Sequence, residues 1–337
     1  YLIPLSICER TRKSADRISD TKGGKVVMEV LFLAPPPWED WSLFGQQIVA
    51  GLATGAMYAL FALALVLIYR STDIINFAQS ELAMFGTFAM WSLHLAGLPT
   101  WLLILLSVLF GFALGGVVER VVIRPVEDKP HLSVVVVTLG LFLLLNSTAI
   151  WIWAKGELPK RFPTPFSFQG VDLGFATIPE HQLGLLVVGL GVMILLALLF
   201  SRTKVGLAMR ATAQNPLASR LMGINVGRML TLGWALSAAL GGLAGALIAP
   251  ITFLHPGFML PIFLYAAAAA VLGGLTSAPG AVVGGFIIGV GENLLGTYTP
   301  AKWLGPEMKL PIIMLVLVLI LLVRPTGLFG ERAIRKV

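Results

Sequence analysis

SRTKVGLAMRATAQNPLASRLMGINVGR, residues 201–228, is the stretch on which the reading of this chain turns. It is the longest polar, basic interruption of an otherwise apolar region, with apolar runs at 182–200 before it and 229–250 after it. Arg202, Lys204, Arg210, Arg220 and Arg228 put five positive charges in it, and no Asp or Glu balances them. Short loops that keep Lys and Arg are cytoplasmic, because carrying those charges across the bilayer during insertion is disfavoured. Its middle is patterned as helix. Leu207, Ala208, Ala211, Leu217, Ala218, Leu221 and Met222 recur at roughly helical spacing, and Asn215-Pro216 suits the end of one short helix and the start of another. A cytoplasmic loop that folds into helices offers a surface to something in the cytoplasm.

The totals around that stretch agree with a membrane protein. Hydrophobic residues make up 57% of the 337 and charged ones only 12%, about half the charged fraction of a soluble domain. Glycine is abundant (36 residues) and sits inside apolar runs, which suits close helix packing in lipid. The fold class expected is an all-α polytopic membrane protein. The net charge of +7 falls in loops and in the C-terminal tail, as the positive-inside bias requires, and needs no nucleic acid to explain it. Cys8 is the only cysteine, which excludes disulfide frameworks and cysteine metal sites. His94, His131, His181 and His255 lack ligand spacing, so no metal site is expected.

Working outward, apolar spans are expected at 48–69, 74–96, 100–118, 132–154, 182–200, 229–250, 258–274, 279–295 and 310–323. With 201–228 inside the cell, alternation puts loops 70–73 and 119–131 and the basic tail inside, and 155–180 outside. Every uncompensated basic cluster then lies on one side. The count expected is eight to nine crossings, since 258–274 and 310–323 are short of the roughly 20 residues a span needs. Residues 1–44 read as a disordered or mis-assigned extension: their charges are mixed, the run 26–34 is too short to cross, Pro35-Pro36-Pro37 ends it, and the first methionine is Met28. Residues 45–330 form the membrane domain and 331–337 a basic cytoplasmic tail.

Chemistry-bearing motifs are sparse. The sequence holds no phosphate loop, no HExxH, no GxSxG and no paired-carboxylate cluster. No catalytic residue and no cofactor is therefore expected in this chain. Five glycine pairs four residues apart, Gly51/Gly55, Gly111/Gly115, Gly241/Gly245, Gly280/Gly284 and Gly285/Gly289, read as helix-packing faces. Glu81 stands out. With a helix beginning at Ile74 it lies ~10 Å into a core ~30 Å thick, where an ionised carboxylate must face the protein interior or a watered path. Asn76, Gln79 and Asn146 join it as candidates for lining a translocation path, against the plainer reading of hydrogen-bonded links between helices. Glu292-Asn293 read as a solvated helix end.

Four blocks carry a family resemblance: IINFAQSELAMFG (74–86), ERVVIRPV (119–126) leading to TLGLFLLLN (138–146), VGLAMRATAQNPLASRLMGIN (205–225) and AAVLGGLTSAPGAVVGGFIIGVGENLL (269–295). With the end block LLVRPTGLFG (321–330), they make residues 46–330 resemble the LivH/LivM permeases, membrane subunits of bacterial ABC importers for branched-chain amino acids. The resemblance implies an inner-membrane subunit that pairs with a second permease, as a hetero- or homodimer, two cytoplasmic ABC ATPase subunits that bind the ATP, and a periplasmic substrate-binding protein. It also implies that 201–228 is the ATPase-coupling segment, with Arg210, Ala211, Ala213, Asn215, Ala218, Gly223 and Ile224 on the coupling pattern. One departure is Tyr265, where the family commonly has Lys. Two other readings stand beside this one: the same machinery carrying urea, short amides or other small amino acids, and a stand-alone ion-coupled carrier in which Glu81 is the coupled carboxylate.

Overall fold

The computed structural model describes residues 41–127, 129–154, 159–172, 174, 177–298, 308–324 and 326–330. The expectations for 1–40 and for the tail 331–337 fall outside the described residues. The first helix, α1, runs Trp41–Thr72, and its first four residues lie in the segment read as an extension. There follow α2 (Gln79–His94), α3 (Thr100–Val118), α4 (His131–Trp153), a two-stranded hairpin of β1 (Gly170–Asp172) and β2 (Thr177–Pro179), α5 (Glu180–Arg202), α6 (Lys204–Gln214), α7 (Pro216–Leu221), α8 (Val226–Thr252), α9 (Leu260–Gly273), α10 (Ala278–Tyr298) and α11 (Lys309–Val323). One π-helical turn, Glu119–Ile123, and one 3₁₀ turn, Arg124–Val126, prolong α3.

Helices occupy all nine stretches expected to span. Six of them, α1, α3 with its extension, α4, α5, α8 and α10, are long and apolar enough to cross a membrane. Helices α9 (14 residues) and α11 (15 residues) are shorter apolar helices. Eight crossings therefore require two of α2, α9 and α11 to serve as short spans, and nine require all three. Burial separates a centre from a periphery: 78% of the apolar window of α1 and 89% of that of α8 are buried, against 22–33% for α3, α4, α5 and α10. The outer helices keep Leu, Val and Ile on their exposed sides, as a surface facing acyl chains does.

The glycine pairs explain how the centre closes. A Cβ on Gly51 would stand 2.6 Å from Val290 Cα, and one on Gly55 3.0 Å from the Gly285 carbonyl, so α1 and α10 meet backbone to backbone. Gly111 and Gly115 lie against Ala238 and Trp234 of α8, Gly241 and Gly245 against Ala83 of α2, and Gly280 and Gly284 against Gly273 and Ala269 of α9. All five pairs are packing faces, and van der Waals contact at that range is what holds helices together where lipid tails remove the hydrophobic drive.

One boundary differs from the expectation in a way that matters. The second helix does not start at Ile74. Asp73 turns the chain with a positive φ of 54°, Asn76 Oδ1 accepts from the Ala78 amide at 3.0 Å, and helix begins only at Gln79. This non-helical stretch is buried, with Asn76 1% and Ala78 0% exposed. Glu81 therefore sits in the first turn of a short helix whose amino end is already inside the protein, where the positive end of the helix dipole favours a carboxylate. The C-terminal segment supplies a second irregular contact. Leu328 and Phe329 donate their amides to the carbonyls of Leu272 and Gly273 at 2.8 and 3.1 Å, which satisfies the open end of α9. Gly274 and Gly327, at φ 104° and 77°, allow the two backbones to turn into that contact.

Candidate functional site

The basic stretch folds as two short helices joined by an elbow at each end. Thr203 Oγ1 accepts from Gly206 N at 3.0 Å and starts α6, Asn215 Oδ1 accepts from Ala218 N at 2.9 Å and starts α7 behind Pro216, and Asn225 Oδ1 accepts from Arg228 N at 3.0 Å and starts α8. Each is an oxygen side chain satisfying a helix amide that has no carbonyl partner. Helix α7 ends on Gly223, at φ 80°. There the Ile224 amide reaches back to the Ser219 carbonyl at 3.0 Å and the Gly223 amide to that of Arg220, a glycine cap that a residue with a Cβ fills only under strain. The seven coupling candidates thus lie together. Arg210, Asn215, Ala218 and Gly223 are exposed, and Ala211, Ala213 and Ile224 are half-buried. Around them Leu217, Leu221 and Met222 are 70%, 82% and 82% exposed. An apolar face of this kind on a capped, rigid helix pair reads as an interaction site.

A half-buried ion pair ties the outgoing end of this element to a neighbouring helix. Glu119, only 1% exposed, accepts from the Arg124 guanidinium at 3.1 Å and from Thr231 Oγ1 at 2.8 Å. The same Arg124 Nη2 donates to the Gly227 carbonyl and to Thr231 Oγ1, at 3.1 and 2.8 Å. Gly227 and Thr231 belong to the first turns of α8, which follow α7 directly. The clamp joins the inner end of α3 to α8, and the acid and base five residues apart across a π-helical turn were its only signal in the sequence.

The four path candidates are placed in two groups. Asn76 Nδ2 donates to Gln79 Oε1 at 3.3 Å. Gln79 Nε2 donates to the Ser237 carbonyl at 2.9 Å, and Ser237 Oγ donates to the Ala64 carbonyl at 2.8 Å. Through these bonds α2 is fixed to α8 and α1. Asn146 Nδ2 donates to Glu81 Oε2 at 3.1 Å, which joins α4 to α2. Glu81 is fully buried, and its other oxygen, Oε1, has no hydrogen-bond partner, nor has the neighbouring Ser80 Oγ. None of the four lines the cleft of about 700 Å³ that opens between α1, α5, α6, α8 and α10.

A third polar group was not anticipated. Tyr58 donates to Glu292 Oε2 at 2.5 Å and stacks on Tyr265 at 5.1 Å between ring centroids. Asn293 Nδ2 donates to Thr54 Oγ1 at 2.9 Å. Glu292-Asn293 is thus half-buried and bonded to α1, and is not the solvated helix end expected. Tyr265, the departure noted in the sequence, stacks on the Tyr58 ring that holds Glu292. On the outer side, Lys160 pairs with Leu254 through both backbone groups, at 2.9 and 2.8 Å, and its ammonium lies 4.5 Å over the Trp91 ring.

Comparison with known proteins gives a consistent picture. Residues 47–321 match the family model described as the permease component of branched-chain amino acid transport systems. The chain is 32% identical to the high-affinity branched-chain amino acid transport system permease protein BraD of Pseudomonas aeruginosa, across 87% of this chain and 97% of that one. It is 31% identical to the corresponding protein LivH of Escherichia coli K12, across 89% and 99%. It is also 32% identical to a LivH relative of Methanocaldococcus jannaschii, across 81% and 89%.

Proposed function

This chain belongs to the family of permease components of branched-chain amino acid transport systems, and from that premise we propose that it is one membrane subunit of an ATP-driven importer carrying branched-chain amino acids into the cell. Two cytoplasmic ATPases bind and hydrolyse the ATP, a second permease completes the membrane pore, and a substrate-binding protein delivers cargo to the outer face. The observation that carries this reading is the capped helix pair α6–α7 with Leu217, Leu221 and Met222 turned outward. A carrier that ran alone on an ion gradient has no use for an apolar docking face on its cytoplasmic side, so Glu81 is not assigned the role of an ion-coupled carboxylate. In this mechanism nucleotide-driven closure of the ATPases pushes α6 and α7 as one body. The Asn225 cap passes that push to α8, and the Glu119–Arg124–Thr231 clamp passes it from α8 to α3. Asn76, Gln79, Glu81 and Asn146 hold the contacts that must rearrange when the path switches.

The test is a charge placed on the docking face. Leu221 makes little contact within its own chain, so Leu221→Asp is expected to leave the purified permease as heat-stable as the parent. Its co-purification with the ATPase subunits and its leucine uptake in proteoliposomes should each fall more than tenfold, roughly the 1.4 kcal/mol or more that an unpaired carboxylate costs in an apolar groove. Normal co-purification and uptake would remove α6–α7 as the docking element.

A further inference from the structure

The cleft of about 700 Å³, lined in part by the coupling candidates Arg210 and Ala213, is given no occupant by this mechanism, and its shape and chemistry specify one. It is walled by α1, α5, α6, α8 and the start of α10. Leu63, Leu190 and Leu240 line it from the middle of α1, α5 and α8, whereas Arg70 and Ser201 line it where α1 and α5 end and Arg210 lines it from α6, so the helix positions set a deep end and a mouth. Along α5, the eleven residues from Leu190 to Ser201 span ~16 Å at ~1.5 Å per residue. That is about half of a ~30 Å hydrocarbon core, one leaflet. The mouth lies where α1 and α5 end and α6 begins, on the cytoplasmic side. The deep walls are Leu, Val, Met and Ile, while Arg70 and Arg210 make no ion pair among the described residues. Arg70 and Arg210 also share the cleft with Thr212. That residue is only 3% exposed, and its hydroxyl has no hydrogen-bond partner. A groove one leaflet deep, apolar along its length and capped by two unpaired guanidiniums beside an unsatisfied hydroxyl, has the polarity profile of a single anionic amphiphile. Basic pockets between membrane helices on the cytoplasmic side bind lipid head groups for the same reason.

From this geometry we infer that the cleft is a binding site for one anionic phospholipid of the cytoplasmic leaflet, its acyl chain between α1, α5 and α8 and its phosphate held by Arg70 and Arg210. The inference goes beyond the transport reading and does not depend on it. Because Arg210 and Thr212 belong to α6, the bound head group would fasten the coupling helix to the end of α1.

The experiment uses the full chain purified with the subunits that accompany it and exchanged into nanodiscs. Short-chain phosphatidylglycerol, short-chain phosphatidylcholine and inorganic phosphate are the probes, read by native mass spectrometry and by competition. Parent protein should retain phosphatidylglycerol roughly thirtyfold better than phosphatidylcholine, the factor that two surface cations supply. Arg70→Gln/Arg210→Gln should erase that preference while still retaining both lipids. Ala197→Trp, at an exposed position that lines the cleft, should displace both lipids. A melting temperature within a few degrees of the parent shows that each variant is folded. Equal retention of the two lipids by the parent, or a preference that survives the double substitution, overturns the proposal. Inorganic phosphate binding as tightly as phosphatidylglycerol would replace it with a free-anion site. Competition by leucine, or a second permease chain seated in the cleft, would replace it with a cargo site or a subunit interface.

Discussion

Glu81 and Glu292 are two carboxylates at membrane depth, and each is held by one neutral donor from another helix. For Glu81 that donor is Asn146, and one of its oxygens stays unpartnered in a fully buried site. An amide in its place keeps the shape and can still accept from Asn146, so Glu81→Gln should leave thermal stability within about 1 kcal/mol of the parent. An amide can also donate, so it changes the contacts that Glu81 must exchange when the path switches. Leucine uptake by Glu81→Gln should therefore fall at least tenfold, and unchanged uptake would return Glu81 to a purely structural part. Asn146→Leu behaves oppositely: it removes the donor and leaves the carboxylate bare, at a cost of about 1.5–3 kcal/mol, visible as a lower melting temperature. For Glu292 the donor is the Tyr58 hydroxyl. Tyr58→Phe should cost a similar amount in thermal unfolding, and adding Glu292→Gln to it should recover part of the loss. Additive losses in the double variant would show that the two residues do not act as a pair. Gly223 is a poor probe by contrast, because at φ 80° any bulky residue strains the cap of α7 before it reaches a partner.

The elements of this fold were legible to different degrees, and the reason is physical. Hydropathy places every apolar helix, because a chain in lipid must satisfy its backbone internally and helices do so within one segment. Asn215-Pro216 and the basic residues place α6 and α7 as well, since capping chemistry is local. The start of α2 differs from the expectation because residues 74–78 are apolar enough to pass for helix, while the positive φ at Asp73 and the Asn76 side chain accepting from the Ala78 amide hold them in a turn. The bonds that decide the candidate site run between residues far apart in the chain, 65 apart for Glu81–Asn146 and 234 for Tyr58–Glu292, and no pattern in one sequence reports them. The clamp belongs at this scale. Thr231→Val keeps the size of the side chain and removes the hydroxyl shared by Glu119 and Arg124. If the clamp transmits motion, Thr231→Val should lower leucine uptake several-fold while ATP hydrolysis by the assembled complex persists, which raises the ATP spent per leucine. Parallel loss of both activities would assign the clamp to assembly alone.

At the scale of the whole molecule, the asymmetry of charge and the asymmetry of packing point the same way. Helices α1 and α8 form a glycine-lined centre, and the thinly buried α3, α4, α5 and α10 form its periphery. The ends of α1, α5 and α8 that carry Arg70, Arg202 and Arg228 gather on one side with α6 and α7, whereas the hairpin 170–179 and the Lys160–Leu254 contact gather on the other. Alternation through α1 and α10 fixes this: Gly51 meets Val290 and Gly285 meets Ala59, so the two helices run antiparallel and the first residues of α10 lie beside Arg70. The basic side must then be cytoplasmic. Since Cys8 is the only cysteine, a chain carrying Cys8→Ser offers a clean background for labelling in intact cells. Leu221→Cys, at an 82% exposed position on α7, should stay unlabelled by a membrane-impermeant maleimide until the cells are opened. Phe168→Cys, at a 56% exposed position just before the hairpin, should label in intact cells. The reverse pattern would place the docking helices outside the cell, where no ATPase can reach them, and both the coupling role of α6–α7 and the transmission route through the clamp would have to be abandoned.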